Sequence, residues 1–385
     1  MPTVYFDHAA TTPLDPRVLD AMLPFLKDDY GNPSSIHHMG RKPNVYVETF
    51  RGRIARAIGA EPAEIIFTSG GTEGNNAAIF GTLKNRNGKH IVTARTEHNA
   101  VLHPVEEAVT IGYTVTYAGL DETGMVTPEA LEEAITPETA LVSLMHVNNE
   151  TGTVNPVADL AAVCSRHGIP FHCDTVQSIG KIPVNVDRLG VDMLTMSAHK
   201  FNGPNGAGAL YVRGGTPWST WMHGGSQERA RRGGTLNAPG IAGMGRALEL
   251  ALEEMEENTR HIARLKRRMV DGLRAAFGDT IRFNGDPDNG MHHIVSVTVT
   301  DNRGEPLDGE MLLLNLDMEG ICCSNGSACT SGTVKPSHVM LALGYNEALA
   351  KSTLRFSIGK TNTAAEVDQL VDALKRIVDR HSVPA

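Results

Sequence analysis

The chain has 385 residues, 41% of them hydrophobic and 21% charged, with a formal net charge of −9 at pH 7. That composition is typical of a soluble globular protein, and the length exceeds one ordinary core and suits two domains. The acidic balance leaves no basic stripe to neutralise phosphates, so no nucleic-acid partner is expected. Five cysteines, an odd number, suit a reducing interior rather than a disulfide framework. Residues Met1 to Asp7 carry no basic-then-apolar leader, and no apolar run reaches the length of a membrane span. A cytoplasmic protein without a membrane partner is the expectation.

In chain order, Glu64–Phe67 reads as a strand, followed by the turn Thr68-Ser69-Gly70-Gly71-Thr72-Glu73 and a helix over Asn75–Leu83. His90–Ala94 is a strand candidate ahead of a helix near Asn99–Ile111. Ala140–Val147, Pro170–Cys173, Met193–Ser197 and Gly208–Val212 are further strand candidates. This alternation implies a mainly parallel sheet covered by helices on both faces, with ligands beyond the carboxyl ends of the strands. Asn237–Phe277 reads as a long charged helix or helix pair that bridges two domains. Beyond it, Ile294–Thr300 and Leu354–Ser357 read as strands and Asp308–Met318 as a helix. Thr363 and Glu366 form a capping box for a last helix, whose apolar face is Val367, Leu370, Val371, Leu374, Ile377 and Val378. This second part is an α+β unit.

Lys200 follows the apolar run Val191–Met196 and precedes a glycine-rich turn, and Asp174 ends an earlier apolar run. Pyridoxal phosphate needs a lysine for its Schiff base and a carboxylate for its ring nitrogen, and these two strand-end residues suit it. Gln177 lies three residues beyond Asp174, within reach of the cofactor's phenolic oxygen. Asp174 also suits a plain helix cap. The turn at Gly71 and Thr72 opens a helix, where free N–H groups and the dipole favour an anion, although such turns are often only turns. Ser197 and His199 offer further donors. His98 follows a strand and suits either ring stacking and proton transfer or simple helix entry.

Cys329 lies among small and polar residues from Ser324 to Gly332, the composition of an exposed loop in which a thiol can ionise. A metal site from Cys322, Cys323 and Cys329 matches no standard zinc spacing, so no metal is expected. Arg355 alternates with apolar neighbours and suits either a carboxylate clamp or a salt bridge. The basic run Arg229 to Arg232 sits between glycines and suits a small anion.

With these motifs the chain resembles the cysteine desulfurases of the NifS/IscS type, fold-type I pyridoxal-phosphate enzymes. The resemblance runs from Tyr5-Phe6-Asp7-His8-Ala9-Ala10-Thr11-Thr12 to the final helix. It includes Gly31-Asn32-Pro33-Ser34-Ser35-Ile36-His37, Asn148-Asn149-Glu150-Thr151-Gly152, Gly224-Gly225-Ser226-Gln227-Glu228-Arg229, Arg232-Gly233-Gly234-Thr235-Leu236-Asn237 and Gly326-Ser327-Ala328-Cys329-Thr330-Ser331. The resemblance implies an α/β fold: a large domain with a seven-stranded, mainly parallel sheet over residues 15–250, and a small α+β domain from 1–14 and 251–385.

It also implies roles. Lys200 would hold the cofactor covalently, Asp174 would pair with the ring nitrogen, Gln177 with the phenolic oxygen, and His98 would stack on the ring. Gly71, Thr72, Ser197 and His199 would hold the phosphate, with Thr235 reaching the phosphate of the neighbouring subunit in a homodimer. Asn149, counted also among the cofactor contacts, and Arg355 would hold the substrate carboxylate. Cys329 would take sulfur from L-cysteine as a persulfide, leave L-alanine, and pass the sulfur to an acceptor such as an iron–sulfur scaffold, whose cluster it would transiently share. A selenocysteine lyase or another pyridoxal-phosphate lyase or aminotransferase is the alternative within the fold. Asn205 replaces a lysine common in relatives, and Cys322-Cys323 is unusual. The chain ends at Ala385, where housekeeping members continue into a scaffold-docking tail, so the docking mode stays open.

Overall fold

A computed structural model describes residues 3–326 and 335–381 of the chain. Its strands are β1 (Val4–Tyr5), β2 (Ile65–Thr68), β3 (His90–Thr93), β4 (Thr114–Tyr117), β5 (Thr139–Met145), β6 (Phe171–Asp174), β7 (Met193–Ser197), β8 (Gly208–Val212), β9 (Ile281–Phe283), β10 (Ile294–Val299), β11 (Ile321–Cys322) and β12 (Thr353–Ser357). Seven of them form one sheet in the order β2-β8-β7-β6-β5-β3-β4.

The sheet is mainly parallel, as the alternation of strands and helices implies. Its strands read as continuous apolar runs because both faces are covered. Side chains nonetheless alternate between two cores. Met193 and Leu210 pack on one face with Ile66, Ile91 and Leu141. Leu194, Met196, Ala209 and Tyr211 pack on the other with Phe67, Val92 and Leu144.

One strand, β8, runs antiparallel to both neighbours. Two antiparallel pairings restore the direction, so β2 runs the same way as β7. The registers Thr68↔Gly208 and Ser197↔Gly208 therefore bring the carboxyl end of β2 to the edge where β7 ends. Met145↔Asp174 and Asp174↔Thr195 align β5, β6 and β7 at that same edge. Residues that follow these strands are thus gathered in space although they are far apart in sequence.

The expected helix pair is present, as Ala238–Glu253 and Met255–Phe277, separated at Glu254. The break marks a change of core. Ile241, Met244, Ala247 and Leu248 pack with the large sheet. Ile262, Leu265, Met269 and Leu273 pack in a separate core with β10, β12 and the last helix. That second core lies on the three-stranded antiparallel sheet β12-β10-β9. The N-terminal residues join it: β1 pairs with β11 through Val4↔Ile321 and Tyr5↔Cys322, and Val4 and Phe6 are buried in the same core.

The last helix, Ala364–His381, has the capping box read from its sequence, with Thr363 N–H donating to Glu366 Oε2 at 2.7 Å and Glu366 N–H to Thr363 Oγ1 at 3.3 Å. Of its apolar face, Val367, Leu370, Leu374, Ile377 and Val378 are buried and Val371 is partly so. No helix among the described residues is long and apolar enough to cross a membrane.

Candidate active site

Lys200 ends a single 3₁₀ turn, Ala198–Lys200, directly after β7. Its Nζ donates to the carbonyls of Ala9 and Ala10, both at 2.7 Å. Burial is the main reason its pKa falls to about 8; nearby Arg355 lowers it further, while Asp7 and Asp174 oppose the fall. An amine with that pKa is neutral in an appreciable fraction of molecules near neutral pH, as a nucleophile or base requires.

Asp174 ends β6 and is 7% exposed. Oδ1 accepts from Val176 N–H at 2.9 Å and Oδ2 from Asn75 Nδ2 at 2.7 Å. Asn75 is 1% exposed, and its own Oδ1 has no hydrogen-bond partner among the described residues. Sequence reading passed over Asn75. The signal available was its place one turn beyond Gly71, on a helix that had to face the sheet.

The Gly71–Leu83 helix starts four residues earlier than the periodicity of the sequence placed it, directly at the glycine turn. Gly70 has φ 149° and ψ −171°, backbone that side chains rarely adopt. A Cβ on Gly71 would lie 2.9 Å from Val176 Cγ2, so the turn packs closely on the chain that follows Asp174. Ser197 is buried, and its Oγ lies 3.5 Å from where a Gly70 Cβ would be. The free N–H groups of the first helical turn and this hydroxyl form an anion-binding end. Thr72 is exposed there. Glu73 accepts from Ser69 N–H of the turn at 2.7 Å and from Arg232 Nε at 2.8 Å.

His98 caps the Asn99–Thr110 helix, with Nδ1 accepting from Ala100 N–H at 3.0 Å. That bond places the ring proton on Nε2. The residue is exposed, yet the surrounding protein lowers its pKa by desolvation; Asp174 opposes that fall, and Lys200, His338 and Arg355 reinforce it. Gln177 donates Nε2–H to Ala9 O at 2.8 Å, and its Oε1 lies 3.4 Å from His293 Nε2. It therefore shares the Ala9 carbonyl with Lys200. His199 contacts Thr11 Oγ1 through Nδ1 at 3.2 Å, and burial lowers its pKa to about 4.

Arg355 on β12 is 4% exposed; its Nη1 donates to the Asn149 carbonyl at 2.8 Å and Nη2 to Asp7 Oδ1 at 2.9 Å. Asp7, like Asn75, was passed over in the sequence.

The structure thus joins Lys200, Asp174, Gln177, His98, Ser197, His199, Asn149, Arg355 and the Gly71 turn around one edge. Thr235 is exposed on the stretch ahead of the Ala238–Glu253 helix and has no hydrogen bond to these residues among the described ones. Cys329 lies outside the described residues. Cys322 and Cys323 are partly buried, with burial pushing both thiols up, so neither is readily ionised.

A family profile described as aminotransferase class-V matches residues 4–370. The chain belongs to the aminotransferase class-V family. It is 45% identical over 379 residues to "Cysteine desulfurase IscS" of Dictyoglomus turgidum, a match covering 98% of this chain and 95% of that one. A solved structure titled "NIFS-LIKE PROTEIN" aligns with a TM-score of 0.90 at 36% identity, over 98% of this chain and 100% of the other. A second, "SspA in complex with cysteine", aligns with a TM-score of 0.81 at 35% identity, over 94% and 100%. The fold is therefore shared with these solved structures across nearly the whole chain.

Proposed function

We propose that this chain is a cysteine desulfurase. It binds pyridoxal 5'-phosphate, takes L-cysteine, and leaves L-alanine and a persulfide on Cys329. The observation that carries the reading is the approach of a lysine with a pKa of about 8 to a buried aspartate beside a helix-opening glycine turn. The relatives named above supply the substrate class.

The residues present fit the cofactor. The Gly70–Gly71 turn is a cradle that a Cβ would fill, with Ser197 Oγ beside it for a phosphate. Asp174, held by Asn75 and by Val176 N–H, would keep a ring nitrogen protonated. Once bound there, the group supplies an electron sink for bonds at the substrate's α-carbon.

In this reading Gly71, Thr72, Ser197 and His199 hold the phosphate, and Thr235 serves the phosphate of the partner subunit in a homodimer. Gln177 reaches the phenolic oxygen, and His98 covers the ring with its Nε2–H free to move a proton. Asn149 and Arg355 hold the substrate carboxylate. Lys200, with no carboxylate hydrogen-bonded to its amine among the described residues, takes the α-proton and later returns one to carbon. The Cys329 thiolate attacks the substrate sulfur. A sulfur–sulfur bond forms, the carbon–sulfur bond breaks with its electrons moving to carbon, and a proton completes the methyl group of alanine. The persulfide sulfur then passes to an acceptor such as an iron–sulfur scaffold, in a cytoplasmic setting. The division into a large domain over 15–250 and a small one from 1–14 and 251–385 belongs to the same proposal and is supported by the change of core at Glu254.

Lys200→Ala tests the anchor. The variant loses the visible absorption band of the lysine-bound cofactor while retaining the parent's far-ultraviolet circular dichroism. An unchanged band places the anchor on another lysine.

A further inference from the structure

Arg355 meets the site with its charge already balanced. Nη2 donates to Asp7 Oδ1 at 2.9 Å and Nη1 to the Asn149 carbonyl, while Nε is buried without a partner among the described residues. The side chains of Arg355 and Asp7 are 5% and 19% exposed. Asp7 is not carried there by the ion pair alone. Its backbone bridges Ser357, and its carbonyl accepts from Tyr5 Oη at 3.1 Å, Ala10 N–H at 3.0 Å and Thr11 N–H at 3.3 Å. The carboxylate is therefore a fixed feature of the place where a second carboxylate would dock.

A substrate carboxylate at Arg355 shares the guanidinium with this fixed negative charge. Substrate and product of the proposed reaction carry the same amino and carboxylate groups and differ only at sulfur. Binding energy spent on the carboxylate is uniform between them and slows release without helping the chemical step. An unopposed, buried guanidinium would hold alanine as firmly as cysteine.

We infer that Asp7 sets the site's affinity for amino-acid carboxylates, weakening the Arg355 clamp so that alanine leaves and recognition falls to the thiol end of the substrate. This rests on the role proposed for Arg355. Asp7 also opposes the effect of Arg355 on the Lys200 amine, so the pair acts on Lys200 nearly as a dipole rather than as a net charge.

The test uses the pyridoxal-phosphate-loaded protein and its Asp7→Asn variant, which keeps an acceptor oxygen for Nη2 and removes the charge. Dissociation constants for L-alanine and for ethylamine, which lacks the carboxylate, are measured by calorimetry. The expected result is alanine binding tighter by about tenfold, the scale of two like charges ~6 Å apart on either side of the guanidinium at an effective dielectric of ~40, with ethylamine unchanged. Asp7→Ser, a second neutral variant, is expected to shift alanine in the same direction. Alanine binding that weakens or stays the same in both variants overturns the inference, as does an equal gain for ethylamine. If alanine binds no better than ethylamine in the parent and in both variants, the carboxylate role of Arg355 itself fails, and the inference fails with it.

Discussion

Replacing Glu228 by Gln probes the foundation of the glycine turn. Glu228 sits in left-handed backbone, φ 49°, and its side chain is fully buried. Three donors converge on its carboxylate: Arg51 Nη2 on Oε1 at 2.6 Å, and Arg51 Nη1 and Phe67 N–H on Oε2, both at 2.8 Å. An amide offers one acceptor oxygen. Whichever way it turns, its NH₂ faces a donor, and the Arg51 guanidinium loses its buried counter-charge. What remains for Arg51 is the Ile65 carbonyl at 2.9 Å and Glu48 at 3.0 Å, and Glu48 is 47% exposed and so screened. Breaking one side of a buried pair typically costs about 3–5 kcal/mol, and the retained contacts favour the lower end, about 3 kcal/mol. The loss is read as a lower urea midpoint of the cofactor-free protein with an unchanged slope. Because Phe67 lies in β2, two residues before the turn at Ser69–Gly71, cofactor affinity falls along with stability. The double variant Arg51→Met with Glu228→Leu recovers the part of the loss that comes from the unpaired charge, but only part of the whole, because Phe67 N–H and the Ile65 carbonyl lose their partners. A Glu228→Gln loss below about 1 kcal/mol, or a double variant no better than the single, would refute the reasoning.

Two further predictions follow from buried polar groups. Asn75→Ala removes the amide that bonds Asp174 at 2.7 Å. A hydrogen bond to a charged group is worth about 1.5–3 kcal/mol, so pyridoxal-phosphate affinity falls by about tenfold to a hundredfold in a spectroscopic titration; unchanged affinity would show that Asp174 needs no such support. Lys181 has its pKa lowered to about 7, first by burial and then by Lys200. Below pH 7 the amine is charged in both states, and the folded protein carries the burial cost in full. As pH rises from about 7 towards the unfolded value of ~10.4, only the unfolded chain keeps the proton, and stability recovers. Lys181→Met is therefore more stable than the parent at pH 6.5, with an advantage that shrinks by pH 10 in thermal melts. A pH-independent difference would contradict this.

Most of the large sheet was legible because its strands are short apolar runs ending in polar, glycine-containing turns. The direction of β8 was not. Gly208–Val212 is as apolar as the parallel strands of the same sheet, and nothing in side-chain pattern marks strand direction when both faces are buried. The short elements also escaped: Val4–Tyr5 and Ile321–Cys322 are two-residue strands that exist only through each other. Lys200, Asp174 and Gln177 stood out because chemistry demands those residue types at strand ends. Asn75 and Asp7 did not, because each acts on a charged neighbour 99 or 348 positions away, and only the fold supplies the partner.

The most direct test of the account measures alanine and sulfide released from L-cysteine, with a reductant present, by the cofactor-loaded protein and by Cys329→Ser. The account predicts equal amounts of both products from the parent and neither from the variant. Products from both proteins would contradict sulfur transfer through Cys329.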